Sequence, residues 1–162
     1  MDVRLSKLSE NFYEDYPHEI YPEILEKQNR PYFCITFFDE RGFYICIPYR
    51  SYISHPNDAY FFDFSRRYPR RRRVLPCSGL DYTKIVIIQK EEYISDEQVV
   101  INTQQYRDSM NHIARIKYEA MNYVNTYIEH WNNIRRLNEH DYIRRYRCSS
   151  LQYFHNELEI HE

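Results

Sequence analysis

The sequence predicts an α+β fold in a single domain, with a twisted antiparallel sheet formed first and helices flanking it afterwards. Three observations predict it. Two β-rich apolar runs, 32–38 and 43–49, flank the turn-forming Asp39-Glu40-Arg41-Gly42, the pattern of a hairpin. Beyond Gly79 the chain has neither Gly nor Pro, so nothing punctuates helices there. Over 106–134 a stripe recurs at alternating steps of four and three, the period of an amphipathic helix. A length of 162 residues suits one domain, and 43% apolar content can fill its core.

Taken in order, residues 1–28 read as an acidic, irregular segment with one short helix over 19–28. They precede a β-rich part, 29–101. Pro48, near the end of the second hairpin strand, marks an edge or an exit from the sheet. Residues 60–64 form a third strand, and 84–88, with Ile85-Val86-Ile87-Ile88, a fourth that is fully buried. Short runs at 93–94 and 98–101 add strands. The helical part, 102–162, opens with Asn102 or Thr103 as cap. Its stripe of Tyr106, Met110, Ile113, Lys117, Ala120, Val124, Tyr127, Trp131 and Ile134, with Lys117 the only break and Ile116 beside it, describes one long helix, straight or bent, packed on the sheet, its aromatics in the core. His155 packs a final helix.

The formal net charge of −2 conceals segregation. Residues 1–26 carry a net −5, residues 50–73 a net +5, and 27–155 as a whole +6. Of the 22 basic residues 17 are arginine, whose planar fork binds phosphate bidentately and stacks on bases. Arg66, Arg67, Arg70, Arg71, Arg72 and Arg73 follow the aromatics Tyr60, Phe61, Phe62 and Phe64, a mixture suited to single-stranded nucleic acid. A solvated loop or a site for an acidic protein segment has the same composition.

Other classes are excluded. Cys34, Cys46, Cys77 and Cys148 form no CxxC pair, and two of them lie in apolar runs, so neither a zinc site nor a disulfide framework is expected. Two glycines leave no Gly-rich phosphate loop. No metal or cofactor is expected. No apolar run approaches the roughly 18 residues of a membrane span. The opening residues lack the apolar core of a secretory signal, and a cytoplasmic protein is expected.

The segment leaving the hairpin, Ile47-Pro48-Tyr49-Arg50-Ser51-Tyr52-Ile53-Ser54-His55, holds the residue types of metal-free phosphodiester chemistry. Histidine can move a proton near neutral pH, and arginine with a hydroxyl can stabilise charge building on phosphate oxygens. A capped turn and a surface histidine would look alike at this level.

Four stretches in order carry a resemblance: Asn29-Arg30-Pro31-Tyr32; Phe43 to Ser51 with His55 behind; Ser78-Gly79-Leu80-Asp81-Tyr82-Thr83-Lys84; and Ser149-Ser150-Leu151-Gln152-Tyr153-Phe154-His155-Asn156-Glu157-Leu158. Spanning roughly 29–158, they resemble the toxins of type III toxin–antitoxin systems, most of all the TenpN branch, related to ToxN, AbiQ and CptN. The resemblance implies a twisted sheet flanked by helices, distantly like Kid and MazF. It also implies a metal-independent endoribonuclease that leaves 2′,3′-cyclic phosphate ends and processes its own repeat RNA antitoxin. That RNA restrains it in a closed protein–RNA heteromer, and many members act on cellular or phage RNA in abortive infection. Ser51 matches the active-site serine after the second hairpin strand. Arg50 stands where threonine is common, Ile53 where a catalytic lysine is expected, and Arg30 or Pro31 where a further lysine precedes the hairpin. The expected catalytic set is therefore Ser51, His55 and Arg50, with His55 and Arg50 taking over the lysine functions. Arg30 and Tyr32 are expected at the pocket rim, Tyr49 among the RNA-binding residues, and Arg66, Arg67 and Arg70 to Arg73 on antitoxin RNA. A non-catalytic RNA-binding protein and a module for acidic protein partners are the competing readings.

Overall fold

The computed structural model of the chain describes residues 3–26, 32–53, 60–64, 77–97, 99 and 104–161. Among the described residues the antiparallel sheet has six strands: β1 (Arg4–Lys7), β2 (Phe33–Asp39), β3 (Phe43–Ile53), β4 (Phe61–Asp63), β5 (Cys77–Asp81) and β6 (Val86–Ile88). Their order is β1-β2-β3-β5-β4, with β6 also pairing β3. Four α-helices among the described residues accompany it: α1 (Glu10–Asp15), α2 (Gln104–Asn111), α3 (Ile113–Trp131) and α4 (Glu139–Tyr146). One contiguous apolar core runs from Leu8 to Ile160.

The hairpin forms as its turn residues require. Gly42 takes φ +101°, a conformation that side chains disfavour. The Asp39 carboxylate caps the turn by accepting from the Arg41 N–H at 2.9 Å, and a two-pronged Arg41 guanidinium bond at 2.8 and 2.9 Å holds it. The Arg41 hydrogen bond keeps the Asp39 carboxyl below its ordinary value despite burial.

Five sequence expectations are corrected. The N-terminal segment is not irregular: β1 pairs β2 from Arg4↔Thr36 to Lys7↔Phe33. Its helix lies at Glu10–Asp15, started by Ser9; over 19–26 there are turns and a bend up to residue 24 and no helix, and 27–28 lie outside the described residues. Pro48 does not end a strand; it sits inside β3, opposite Cys34. On its other side β3 pairs β6 up to Cys46 and β5 from Tyr49 onward, so Pro48 falls where that ladder is already interrupted. The fourth strand, expected over 84–88, is buried but shortened to β6, because Lys84 closes a 3₁₀ turn, Tyr82–Lys84, and the strand before that turn, β5, is not expected from the sequence. The long helix is broken at His112 (φ −116°, ψ 21°) and ends at Trp131, leaving Ile134 exposed outside it. Its buried face is Ile116, Ala120, Tyr123, Val124, Tyr127 and His130: Ile116 fills the break at Lys117, and His130 takes the place expected for Trp131.

Cys34 and Cys46 are buried free thiols, as small hydrophobes in a core would be, and burial pushes the Cys46 thiol up to about 12. Among the described residues no helix is long and apolar enough to cross a membrane.

The far end of α3 supplies a pH-dependent element. His130 is buried, stacks on Tyr142 with centroids 4.4 Å apart, and accepts at Nδ1 from the Leu137 N–H at 3.0 Å. Burial, then the Arg136 charge, holds its pKa below the ordinary value. Protonation would put a hydrogen on the accepting Nδ1. The stability it supplies is thus complete above the unfolded value of about 6.5 and is lost as pH falls through the lower folded one. In His130→Gln the decline in melting temperature as pH falls below about 6.5 should be shallower than in the wild type. Parallel melting curves against pH would contradict this.

Candidate active site at the β3 exit

The register fixes which side chains can meet. Tyr49 pairs Leu80 and Arg50 pairs Gly79 between β3 and β5, while Asp63 pairs Gly79 and Phe61 pairs Asp81 between β4 and β5. Paired residues share a sheet face and neighbours along a strand alternate. Arg50, Gly79, Asp81, Phe61 and Asp63 therefore share one face, and Tyr49, Ser78, Leu80 and Phe62 the other.

On the first face Arg50 reaches diagonally to Asp81. Its Nη1 donates to Asp81 Oδ2 at 2.9 Å. The Asp81 side chain is 0% exposed and that of Arg50 is 25% exposed. The other carboxylate oxygen accepts from the Thr83 N–H at 3.0 Å and the Thr83 hydroxyl at 2.6 Å, so Asp81 also starts the 3₁₀ turn that ends β5. Half-buried Tyr32 lies just before β2. Burial pushes its phenol up and the nearby Arg50 charge pulls it back.

Ser51 follows Arg50 and is exposed. Between Arg50↔Gly79 and Ile53↔Cys77, β3 spends three steps where β5 spends two. This is a bulge, a device that re-aims side chains beside sites. Past it Ile53 is fully buried against Phe61, as a small apolar pair outside the main core.

Tyr49 belongs to the opposite face and is not brought to Arg50. Its hydroxyl donates to Ser109 Oγ on α2 at 3.0 Å, and its ring stacks on Phe64 at 5.9 Å. Burial raises its phenol to about 12. Tyr49, expected among the RNA-binding residues, packs between sheet and helix on the face away from Arg50.

No family model matches this sequence, and no curated protein or solved structure matches it. The site is therefore built on its own residues. Of those expected from the sequence, Arg50 and Tyr32 are neighbours at the β3 exit, and Ser51 is the next, exposed residue along the bulged strand. Arg30, His55, Arg66, Arg67, Arg70, Arg71, Arg72 and Arg73 lie outside the described residues.

Two sequence stretches that carried the resemblance meet in space. Ser150 Oγ donates to the carbonyls of Thr83 and Ile85. Lys84 Nζ donates to Glu23 at 2.6 Å and to the Cys148 carbonyl at 2.8 Å. Leu151 and Phe154 are buried, and His155 Nε2 is 2.6 Å from the Tyr127 hydroxyl. His155 packs on α3 beyond a 3₁₀ turn, not on a further α-helix. This C-terminal stretch braces the turn that follows Asp81.

Sequence reasoning missed Asp81 as a site residue. The available signal was its place two residues before Thr83, the spacing of a carboxylate that caps a turn. Among the described residues no group of three or more His, Cys, Asp or Glu is placed to hold a metal ion. A cleft of about 410 Å³ lies elsewhere, between β1 and 91–99, lined by Arg4, Tyr44, Glu91 and Asp96 among others, and none of the expected site residues lines it.

Proposed function

We propose that the chain is a metal-independent endoribonuclease, the toxin of a type III toxin–antitoxin system. The observation that carries this reading is the β3 exit: a guanidinium tethered to a buried carboxylate, beside a phenol, with an exposed serine next along a bulged strand. The order of the four sequence stretches supports it.

In this reading an RNA phosphate takes hydrogen bonds from Arg50 and Ser51, which stabilise the charge that builds on its oxygens. The 2′-oxygen attacks phosphorus as its proton departs, the bond to the 5′-oxygen breaks, and that oxygen gains a proton. The products are a 2′,3′-cyclic phosphate and a 5′-hydroxyl. His55 handles one of the two protons. Tyr32 stands at the rim beside Arg50. Arg66, Arg67 and Arg70 to Arg73, with Arg30, contact RNA through phosphates and bases. The repeat RNA antitoxin is substrate and inhibitor in a closed heteromer in the cytoplasm, and released toxin acts on cellular or phage RNA.

The test is cleavage of the transcript of the DNA upstream of the coding sequence. Ser51→Ala and His55→Ala are each expected to slow cleavage by about 10²-fold or more. Because Ser51 is exposed, the melting temperature of Ser51→Ala should match the wild type. Unaltered rates in both variants would overturn the assignment. RNA bound but never cut by the wild type would favour the non-catalytic binder.

A further inference from the structure

We propose that Asp81 is the positioning residue of this site, acting on RNA through Arg50. The inference rests on the RNA-cleavage reading above. Asp81 cannot itself meet a phosphate: its side chain is 0% exposed, and its negative charge would repel one. What it does is fix a long, rotamer-rich side chain that would otherwise sample solvent.

The geometry supporting this comes from three elements. From β5, Asp81 Oδ2 takes Nη1 of Arg50 at 2.9 Å. From the 3₁₀ turn, Thr83 fixes Oδ1 with two bonds, of 2.6 and 3.0 Å, so the carboxylate cannot rotate to follow a moving guanidinium. From the C-terminus, Ser150 binds the Thr83 and Ile85 carbonyls and holds the turn itself. Arg50 thus has one nitrogen committed and a quarter of its side chain exposed, and its other donors make no hydrogen bond among the described residues. A planar donor fork anchored at one end and open at the other is preorganised for a phosphate oxygen.

The test measures single-turnover cleavage of the upstream repeat transcript by the full chain. Asp81→Asn keeps an acceptor for Thr83 and removes the charge that holds Arg50. It is expected to lower the rate constant by about 10- to 100-fold, with little change in the protein concentration that half-saturates the rate. In Arg50→Ala, added guanidinium at a sub-denaturing concentration should restore part of the rate by binding in the vacated place. In Arg50→Ala/Asp81→Asn it should restore none, and that double variant should be no slower than Arg50→Ala alone.

Wild-type cleavage by Asp81→Asn, or equal rescue of single and double variants, would overturn the proposal while leaving the RNA-cleavage reading intact. A wild-type protein that cleaves no RNA would overturn both. Should Asp81→Asn fail to fold, Thr83→Val removes one bond to the carboxylate at nearly constant volume. A wild-type rate from that variant would count equally against the role of Asp81.

Discussion

Replacing Gly79 by alanine is expected to destabilise the fold by about 3 kcal/mol or more, at the upper end of overpacking substitutions. A Cβ at Gly79 would lie 2.1 Å from the Phe62 carbonyl oxygen and 3.1 Å from the Phe61 ring. The near atom is backbone of β4, which cannot swing aside as a side chain would. Relief requires β4 and β5 to separate, and β5 carries Asp81 while Phe61 supports Ile53. Stability and cleavage should therefore fall together. Urea denaturation of Gly79→Ala checks this, and a midpoint equal to that of the wild type would show that the strands part without cost.

Arg50→Ala should cost about 2–4 kcal/mol, because it removes the Arg50 ion pair from the fully buried Asp81 carboxylate. The guanidinium is partly solvated, which places the loss below that of a wholly buried pair. Thr83 still satisfies one carboxylate oxygen, which limits the cost further. Arg50→Ala/Asp81→Asn should then recover part of the stability, since the buried charge that Arg50 paired is gone as well. Denaturation of the wild type, the two single variants and the double variant measures that coupling. Additive losses would mean that the two side chains do not depend on one another.

The hairpin was legible in the sequence because its signals are local. Alternating β-formers, Gly42 at a turn position and Asp39 ready to cap it all point to the same structure. β1 and β5 were not legible, for opposite reasons. Arg4-Leu5-Ser6-Lys7 is short and half polar, and becomes a strand only because β2 offers an edge. Cys77-Ser78-Gly79-Leu80-Asp81 contains poor strand formers, which tertiary pairing between β3 and β4 overrides. The helical period of 106–134 was correct, yet periodicity cannot see a single-residue break such as His112. Nor could it place the end at Trp131, where Asn133 takes a positive φ of 58°.

The site divides along the same line. Arg50 and Ser51 stood out because they are adjacent in sequence at a strand end. Tyr49 was drawn into the site by that adjacency, and strand alternation put it on the other face. Asp81 was overlooked because its partner lies 31 positions away, a distance that only the β3–β5 register closes.

The most direct measurement is the end chemistry of RNA that co-purifies with the protein produced from its native upstream DNA, as wild type and as Ser51→Ala. The account predicts repeat-length RNA ending in 2′,3′-cyclic phosphate from the wild type and longer, unprocessed RNA from Ser51→Ala. Heterogeneous RNA with unrelated ends from the wild type, or identical processed RNA from both proteins, would contradict it.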